Sequence, residues 1–270
     1  MRVLMMIVGL LLVFSVQAME LSGPARQGGM LLGKVSPGSQ VFLDKKELMV
    51  APDGRFVIGF DRDAAASAEL VVVTADGERM VKKLDIAPRQ YNIQRVEGIA
   101  KKIMSPNEQD LKRIRSEAVE VVQARAKRLQ RMDFAGKFQW PLVGPISGVF
   151  GSQRVYNGVP GRPHYGVDVA APTGTPVSTP APGTVTLAHP DMFYSGGTLI
   201  IDHGHGVSST LMHLSKVLVK VGDEVVPGDI VAEVGASGRA TGPHLDWRMN
   251  WMKARIDPQL LVVPMSQQSK

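Results

Sequence analysis

The sequence predicts a mainly β protein, and three observations carry that prediction. Its 270 residues include 28 Gly and 18 Pro, a composition that favours frequent turns over long helices. Short β-branched or aromatic runs recur between turn dipeptides along most of the chain. Helical spacing of apolar residues is concentrated in a single stretch, residues 101–135. The expected organisation is a signal peptide (1–18), a small N-terminal β-sandwich (19–100), a connecting α-helix (101–135), a second β domain (136–265) and a polar tail (266–270).

Residues 1–18 read as an export signal. Met1-Arg2 supplies the positive start, Val3 to Phe14 is an apolar run of 12 residues, and Val16-Gln17-Ala18 offers a cleavage site after Ala18. The run falls well short of the ~20 residues that span a bilayer. Without any cysteine, the chain has neither a lipidation site after Ala18 nor disulfides nor thiolate chemistry. The formal charge of +6 becomes 6 − 1 = +5 once Arg2 is removed, which suits an anionic partner without choosing one. Export to the periplasm or cell envelope excludes nucleic acid as that partner.

In the expected sandwich, Gln40-Val41-Phe42-Leu43 and Phe56-Val57-Ile58 are strand-like and flank the turn Pro52-Asp53-Gly54. Leu70 to Thr74 and Met80 to Ile86 flank a hairpin signal, Ala75-Asp76-Gly77-Glu78. This segment holds no histidine, and its acidic residues sit mostly at turns, so it is expected to position or dock rather than catalyse. Next, Ser105-Pro106-Asn107-Glu108 has the pattern of a helix start with proline in the first turn. Leu111, Ile114, Ala118, Val121, Leu129 and Met132 form its apolar stripe. Nine Lys or Arg against four Asp or Glu between 101 and 132 make the rest strongly basic. An envelope protein could dock on this helix or on the β-sandwich.

All six histidines, His164, His189, His203, His205, His213 and His244, lie within about 80 residues of the second β domain. Two clusters have metal-ligand character, His164-Tyr-Gly-Val-Asp168 and His244-Leu-Asp246. Residues two apart in a strand share a face, so His244 and Asp246 project together. His164 and Asp168 would be ~13 Å apart in a straight strand. Ligands of one zinc bring their donors to ~2 Å from it. The chain must therefore bend between them, and Gly166 is placed to permit it.

The surrounding runs carry a resemblance. His164-Tyr-Gly-Val-Asp168-Val-Ala-Ala-Pro-Thr-Gly174-Thr-Pro-Val177 resembles the first signature of lysostaphin/LytM-type zinc metallopeptidases. Pro182-Gly183-Thr-Val185, Gly197 to Gly204, Met212-His213-Leu214-Ser215, Val221 to Gly228, Val234 to Gly238 and Thr241 to Leu245 follow in the order of that family. The likeness covers about residues 140–260. It implies an antiparallel, barrel-like β domain and a Zn2+-dependent peptidoglycan endopeptidase acting on a stem peptide or cross-bridge. His164 and Asp168 match its first two zinc ligands. His213 and His244 match its catalytic imidazoles, which activate water and stabilise the oxyanion.

Two positions depart from the pattern. Asp246 stands where the family has its third ligand, a histidine, and Leu211 stands where many members have tyrosine. A His/Asp/Asp set is acceptable to zinc, but its two carboxylates cancel the +2 charge, where the usual set leaves +1. The alternative to the peptidase is a catalytically weak or inactive factor of the same type that binds wall or activates another hydrolase. His203 is expected to be structural and His189 to lie in an exposed loop. Trp247 and Trp251 are expected to pack rather than stack on sugars.

Overall fold

Strand formation follows the β-branched runs closely, and their outward-facing polar residues leave one face of each strand for a shared core. A computed structural model describes residues 19–96, 107–156 and 158–267. The expected signal peptide therefore lies outside the described residues, as do Ser105 and Pro106. The first strands are β1 (Glu20–Ser22), β2 (Met30–Lys34), β3 (Gln40–Leu43), β4 (Lys46–Glu47), β5 (Arg55–Gly59), β6 (Ser67–Val73), β7 (Arg79–Asp85) and β8 (Ile93–Val96). The first seven form two antiparallel sheets, ordered β1-β2-β5 and β4-β3-β6-β7, whose Leu31, Val41, Phe56, Ile58, Leu70 and Leu84 share a buried core.

The helix α1 (Glu108–Ala126) begins two residues later than its sequence pattern suggested. Asn107 is its cap, with an extended backbone and a side chain that accepts from the Asp110 N–H at 2.9 Å. It also ends early. Arg128 takes a left-handed φ of 44°, which leaves Leu129 and Met132 outside the helix. The docked face is Ile114, Glu117, Val121 and Ala124, while Leu111 and Ala118 are exposed. Glu117 accepts from Arg113 and from the Phe193 N–H, so the stripe is partly polar. Val121 and Ala124 pack on Leu187, Met192 and Ile200 of the large sheet.

That sheet is built from β9 (Ile146–Gly148), β12 (Val167–Ala170), β14 (Gly183–Met192), β15 (Gly196–Gly204), β16 (Val207–Val217), β17 (Glu224–Val225) and β19 (His244–Trp251). Their order is β17-β14-β15-β16-β19-β12-β9. Off this path, β18 (Ile230–Val234) pairs with β13 (Pro176–Ser178) and β16, and β20 (Ala254–Ile256) pairs with β19. The sheet is open, ending on β17 and β9, so the barrel-like element of the expectation becomes an open antiparallel sheet. The remaining strands, β10 (Gln153–Tyr156) and β11 (Val159–Pro160), join β8, which runs parallel to β10.

The N-terminal sheets and the large sheet press together closely. A Cβ on Gly59 of β5 would lie 2.6 Å from Trp251 Cβ and 2.7 Å from Ile256 Cδ1. Arg62 Nε and Nη2 donate to the Gly151 carbonyl at 3.0 and 2.9 Å, and Arg89 pairs with the buried Asp257 at 2.8 Å. Trp247 and Trp251 are both in the core, with Trp140 edge-on to Trp247 at 5.7 Å between ring centroids.

His203 is also a core residue. Both ring nitrogens are bonded, Nδ1 with the Pro182 carbonyl at 2.6 Å and Nε2 with Ser209 Oγ at 2.7 Å. Burial pushes its pKa down to about 4. His205 is buried as well and bridges to the N-terminal part through Met49 O at 3.3 Å. His189 lies within β14 rather than in a loop, opposite Thr198, because β14 runs on to Met192.

Two outcomes are expected. Gly59→Val overpacks the junction with Trp251 and lowers unfolding free energy by ~1–3 kcal/mol in urea titrations. For His203, the unfolded chain binds a proton near the ordinary pKa of ~6.5 whereas the folded chain resists it down to about 4. Stability therefore holds above ~6.5 and falls as pH drops towards 4, by on the order of 3 kcal/mol from this group. His203→Gln flattens that slope in denaturant titrations taken between pH 7 and 4.5.

Candidate metal and catalytic site

The expected site residues come together on one face of the large sheet. In β19, Leu245, Trp247 and Met249 point into the core, which leaves His244, Asp246 and Arg248 on the opposite face. In β12, Val167 and Val169 are buried on either side of Asp168. The antiparallel register sets Asp168 directly opposite Asp246. His164 precedes β12, and the chain bends at Gly166.

The reason glycine is needed there is contact rather than backbone conformation. A Cβ at Gly166 would collide with Asp246 Oδ1 and lie 2.6 Å from both Arg248 Cγ and the Trp247 carbonyl oxygen. Gly148 on β9 plays the same part for Asp168, since a Cβ there would meet its carboxylate. Two glycines thus make room for two carboxylates.

One donor atom from each of His164, Asp168 and Asp246 lies within 4.8 Å of the others. His164 Nε2 is 3.2 Å from Asp168 Oδ1, and His164 Nδ1 is 4.0 Å from Asp246 Oδ2. Both His164 Nε2 and Asp168 Oδ1 are shut off from solvent without a hydrogen bond. Such orphaned, converging donors fit a divalent cation, and the N, O, O set suits zinc. Burial opposes protonation of His164, but the carboxylates of Asp168 and Asp246 outweigh it and raise its pKa.

Asp246 has a further partner that sequence reasoning missed. Arg248 Nη2 donates to Asp246 Oδ2 at 2.6 Å, and its Nε lies 3.1 Å from each carboxylate oxygen. Burial alone would raise the Asp246 pKa, and the Arg248 guanidinium reverses this and holds it below the ordinary value. Arg248 could have been found from alternation, because it is two residues past Asp246 on the same strand face.

His213 reaches this face by a different route. Leu211 is fully buried opposite Trp247, and Met212 stands opposite Asp246. Strict alternation would send His213 to the core beside Leu211. Instead β16 carries an extra residue against β15 here, and His213 has φ +62°. This bulge re-aims the ring, at a backbone cost of ~1–3 kcal/mol. The position of Leu211, where the resemblance suggested tyrosine, thus belongs to the core.

The two imidazoles lie side by side, with ring centroids 4.8 Å apart. His213 Nδ1 is 2.9 Å from the Ser237 carbonyl, and His244 Nδ1 is 2.8 Å from the Gly242 carbonyl. A carbonyl only accepts, so both rings carry a proton on Nδ1, which leaves each Nε2 outside these bonds. His244 Nε2 is 3.9 Å from Asp168 Oδ1. Burial lowers the His213 pKa, which keeps that ring neutral near pH 7.

Comparison with known proteins identifies the family of the segment that carries this arrangement. The family model described as peptidase family M23 matches residues 162–258. A crystal structure of a peptidase M23 from Pseudomonas aeruginosa superimposes with TM-score 0.70 at 30% identity, covering 88% of this chain and 95% of that one. The chain belongs to peptidase family M23. The M23 segment is also 41% identical over 111 residues to Peptidoglycan DD-endopeptidase ShyA of Vibrio cholerae, a match covering 38% of this chain and 25% of that protein. It is 36% identical over 103 residues to DD-carboxypeptidase/endopeptidase Mpg of Neisseria meningitidis, covering 38% and 24%. The chain thus spans about a quarter of the length of these curated relatives.

Gly166→Ala is expected to lower stability by ~1–3 kcal/mol, because the carboxylate of Asp246 and the backbone of β19 must both move. Gly242→Ala, where nothing lies within 4 Å, serves as control and stays within about 0.5 kcal/mol. Paired urea titrations of the two variants read the difference.

Proposed function

We propose that this chain is a zinc-dependent endopeptidase that hydrolyses peptide bonds in bacterial peptidoglycan. The observation that carries the reading is the gathering of His164, Asp168 and Asp246 beside two imidazoles whose Nε2 atoms are free. His164, Asp168 and Asp246 would hold the metal. Bound zinc supplies Lewis acidity to water and to the scissile carbonyl.

The chain's own groups do the rest. His213, kept neutral by burial, accepts a proton at Nε2 from the attacking water. His213 then returns that same proton from Nε2 to the leaving amine, and His244 stands beside it, where its ring can stabilise the oxyanion. Arg248 answers the charge problem raised by Asp246. Asp168 (−1), Asp246 (−1) and Arg248 (+1) sum to −1, so a divalent cation leaves +1 overall, as in a site with a single carboxylate. The names of the similar relatives support peptidoglycan as the substrate. In this reading residues 1–18 direct export to the periplasm, residues 19–100 and α1 position residues 136–265, and an envelope protein partner could dock on the former.

The test is metal analysis of residues 19–270 together with digestion of purified peptidoglycan. The expected result is about one zinc per chain and release of peptide fragments, both abolished by a chelator. His213→Ala should retain metal and lose ~10²–10⁴-fold in rate. Absence of metal or of released fragments overturns the proposal.

A further inference from the structure

Beyond the metal-ligating cluster, the same sheet face carries three arginines; Arg248 is paired with Asp246, while Arg125 and Arg255 make no salt bridge among the described residues. Arg248 lies two residues from Asp246, ~7 Å along β19, and a quarter of its side chain (26%) stays exposed. Directly opposite it on β16 is Thr210. Arg125, near the C-terminal end of α1, reaches down to this position, and its Nη2 donates to Thr210 Oγ1 at 2.9 Å. Arg255 arrives from β20, with Nη1 3.4 Å from Asn250 Oδ1 and its guanidinium 5.3 Å from the Tyr165 ring centroid.

The local charges do not balance. Asp246 is committed to Arg248, and Asp61 Oδ2 accepts from the backbone N–H of Arg255. Arg125 Nε is buried without any hydrogen-bond partner. An unsatisfied buried guanidinium N–H is costly, and the unpaired like charge of Arg255 nearby adds to that cost. Burial, then the neighbouring Arg255 and Arg248, push the Arg125 pKa down to about 9. The adjoining helix positions Val121 and Ala124 meet apolar surface, so an arginine is not needed there to dock α1. Arginine is the side chain suited to binding carboxylate in a fixed plane.

We propose that Arg125, Arg248 and Arg255 form a carboxylate subsite that holds a free carboxylate of the substrate peptide beside the scissile bond. The proposal rests on the peptidase reading and adds to it the substrate class. Because Arg248 Nη2 stands 2.6 Å from Asp246 Oδ2, the substrate carboxylate is held within a residue or two of the bond. Peptides with a free terminal or side-chain carboxylate at that distance are taken, and their amides are discriminated against.

The experiment is binding, read by NMR shift titration of the full chain after chelator treatment, so that no metal competes for carboxylate. The probes are an acetylated peptide ending in D-Ala-D-Ala, its C-terminal amide, and inorganic phosphate. The free acid should bind at least about tenfold more tightly than the amide. Arg125→Gln and Arg255→Gln should each shrink that ratio towards one. Equal affinity for acid and amide, no binding of either, or a ratio unchanged in both variants overturns the subsite. Phosphate that binds as tightly as the acid also overturns it, by showing a site for free anions. The wild-type ratio alone decides the matter should a variant fail to fold. It is independent of hydrolysis, so loss of the subsite and loss of the peptidase reading give different results.

Discussion

Two aspartates set directly opposite each other on neighbouring strands are the constraint around which this structure is arranged. Asp168 on β12 and Asp246 on β19 are register partners, and like charges in that relation repel. The fold tolerates them because other groups converge on the pair. Arg248 takes Asp246 in a charged hydrogen-bonded contact, and His164 stands within reach of both carboxylates. Gly148 and Gly166 give up their side chains so that neither carboxylate is displaced.

The scaffold holds that arrangement by packing. Every second residue of β19 is driven into the core, from Leu245 to Trp251, which leaves no freedom in the facing of His244, Asp246 and Arg248. The same core continues into the N-terminal sheets, where Phe56 and Ile58 belong to one cluster with Trp247 and Trp251. Position in the site is thus coupled to the junction between the two halves of the chain. The helix α1 adds a second coupling, since it rests on β14 and β15 and ends with Arg125 beside Thr210.

Asp246 stands where the family resemblance would put a neutral histidine, a change that by itself would lower the charge left on a bound cation. The ion pair with Arg248 changes that reading. Asp246 and Arg248 together carry no net charge, as a neutral imidazole does, though in a larger and more polar form. Asp246 and Arg248 lie on one strand face, so the charge at the site is visible only when both are considered.

Much of this was legible in the residues themselves. Alternation predicted that His244 and Asp246 share a face, turn dipeptides located the strands of the N-terminal sheets, and the burial of Trp247 followed from its place in β19. The grouping of His164, Asp168 and Asp246, with the imidazoles His213 and His244 nearby, was expected from ordered motifs and their resemblance to a family. Local signals could supply these because strand periodicity and turn chemistry act over a few residues. Tertiary structure alone decided the rest. The bulge at His213 overrides alternation, α1 starts at Glu108 behind its cap Asn107, and Arg125 reaches Thr210, the register partner of Arg248, from 85 positions away in the chain. Those outcomes depend on pairing register and on helix docking, where the deciding contacts join residues that no local pattern connects.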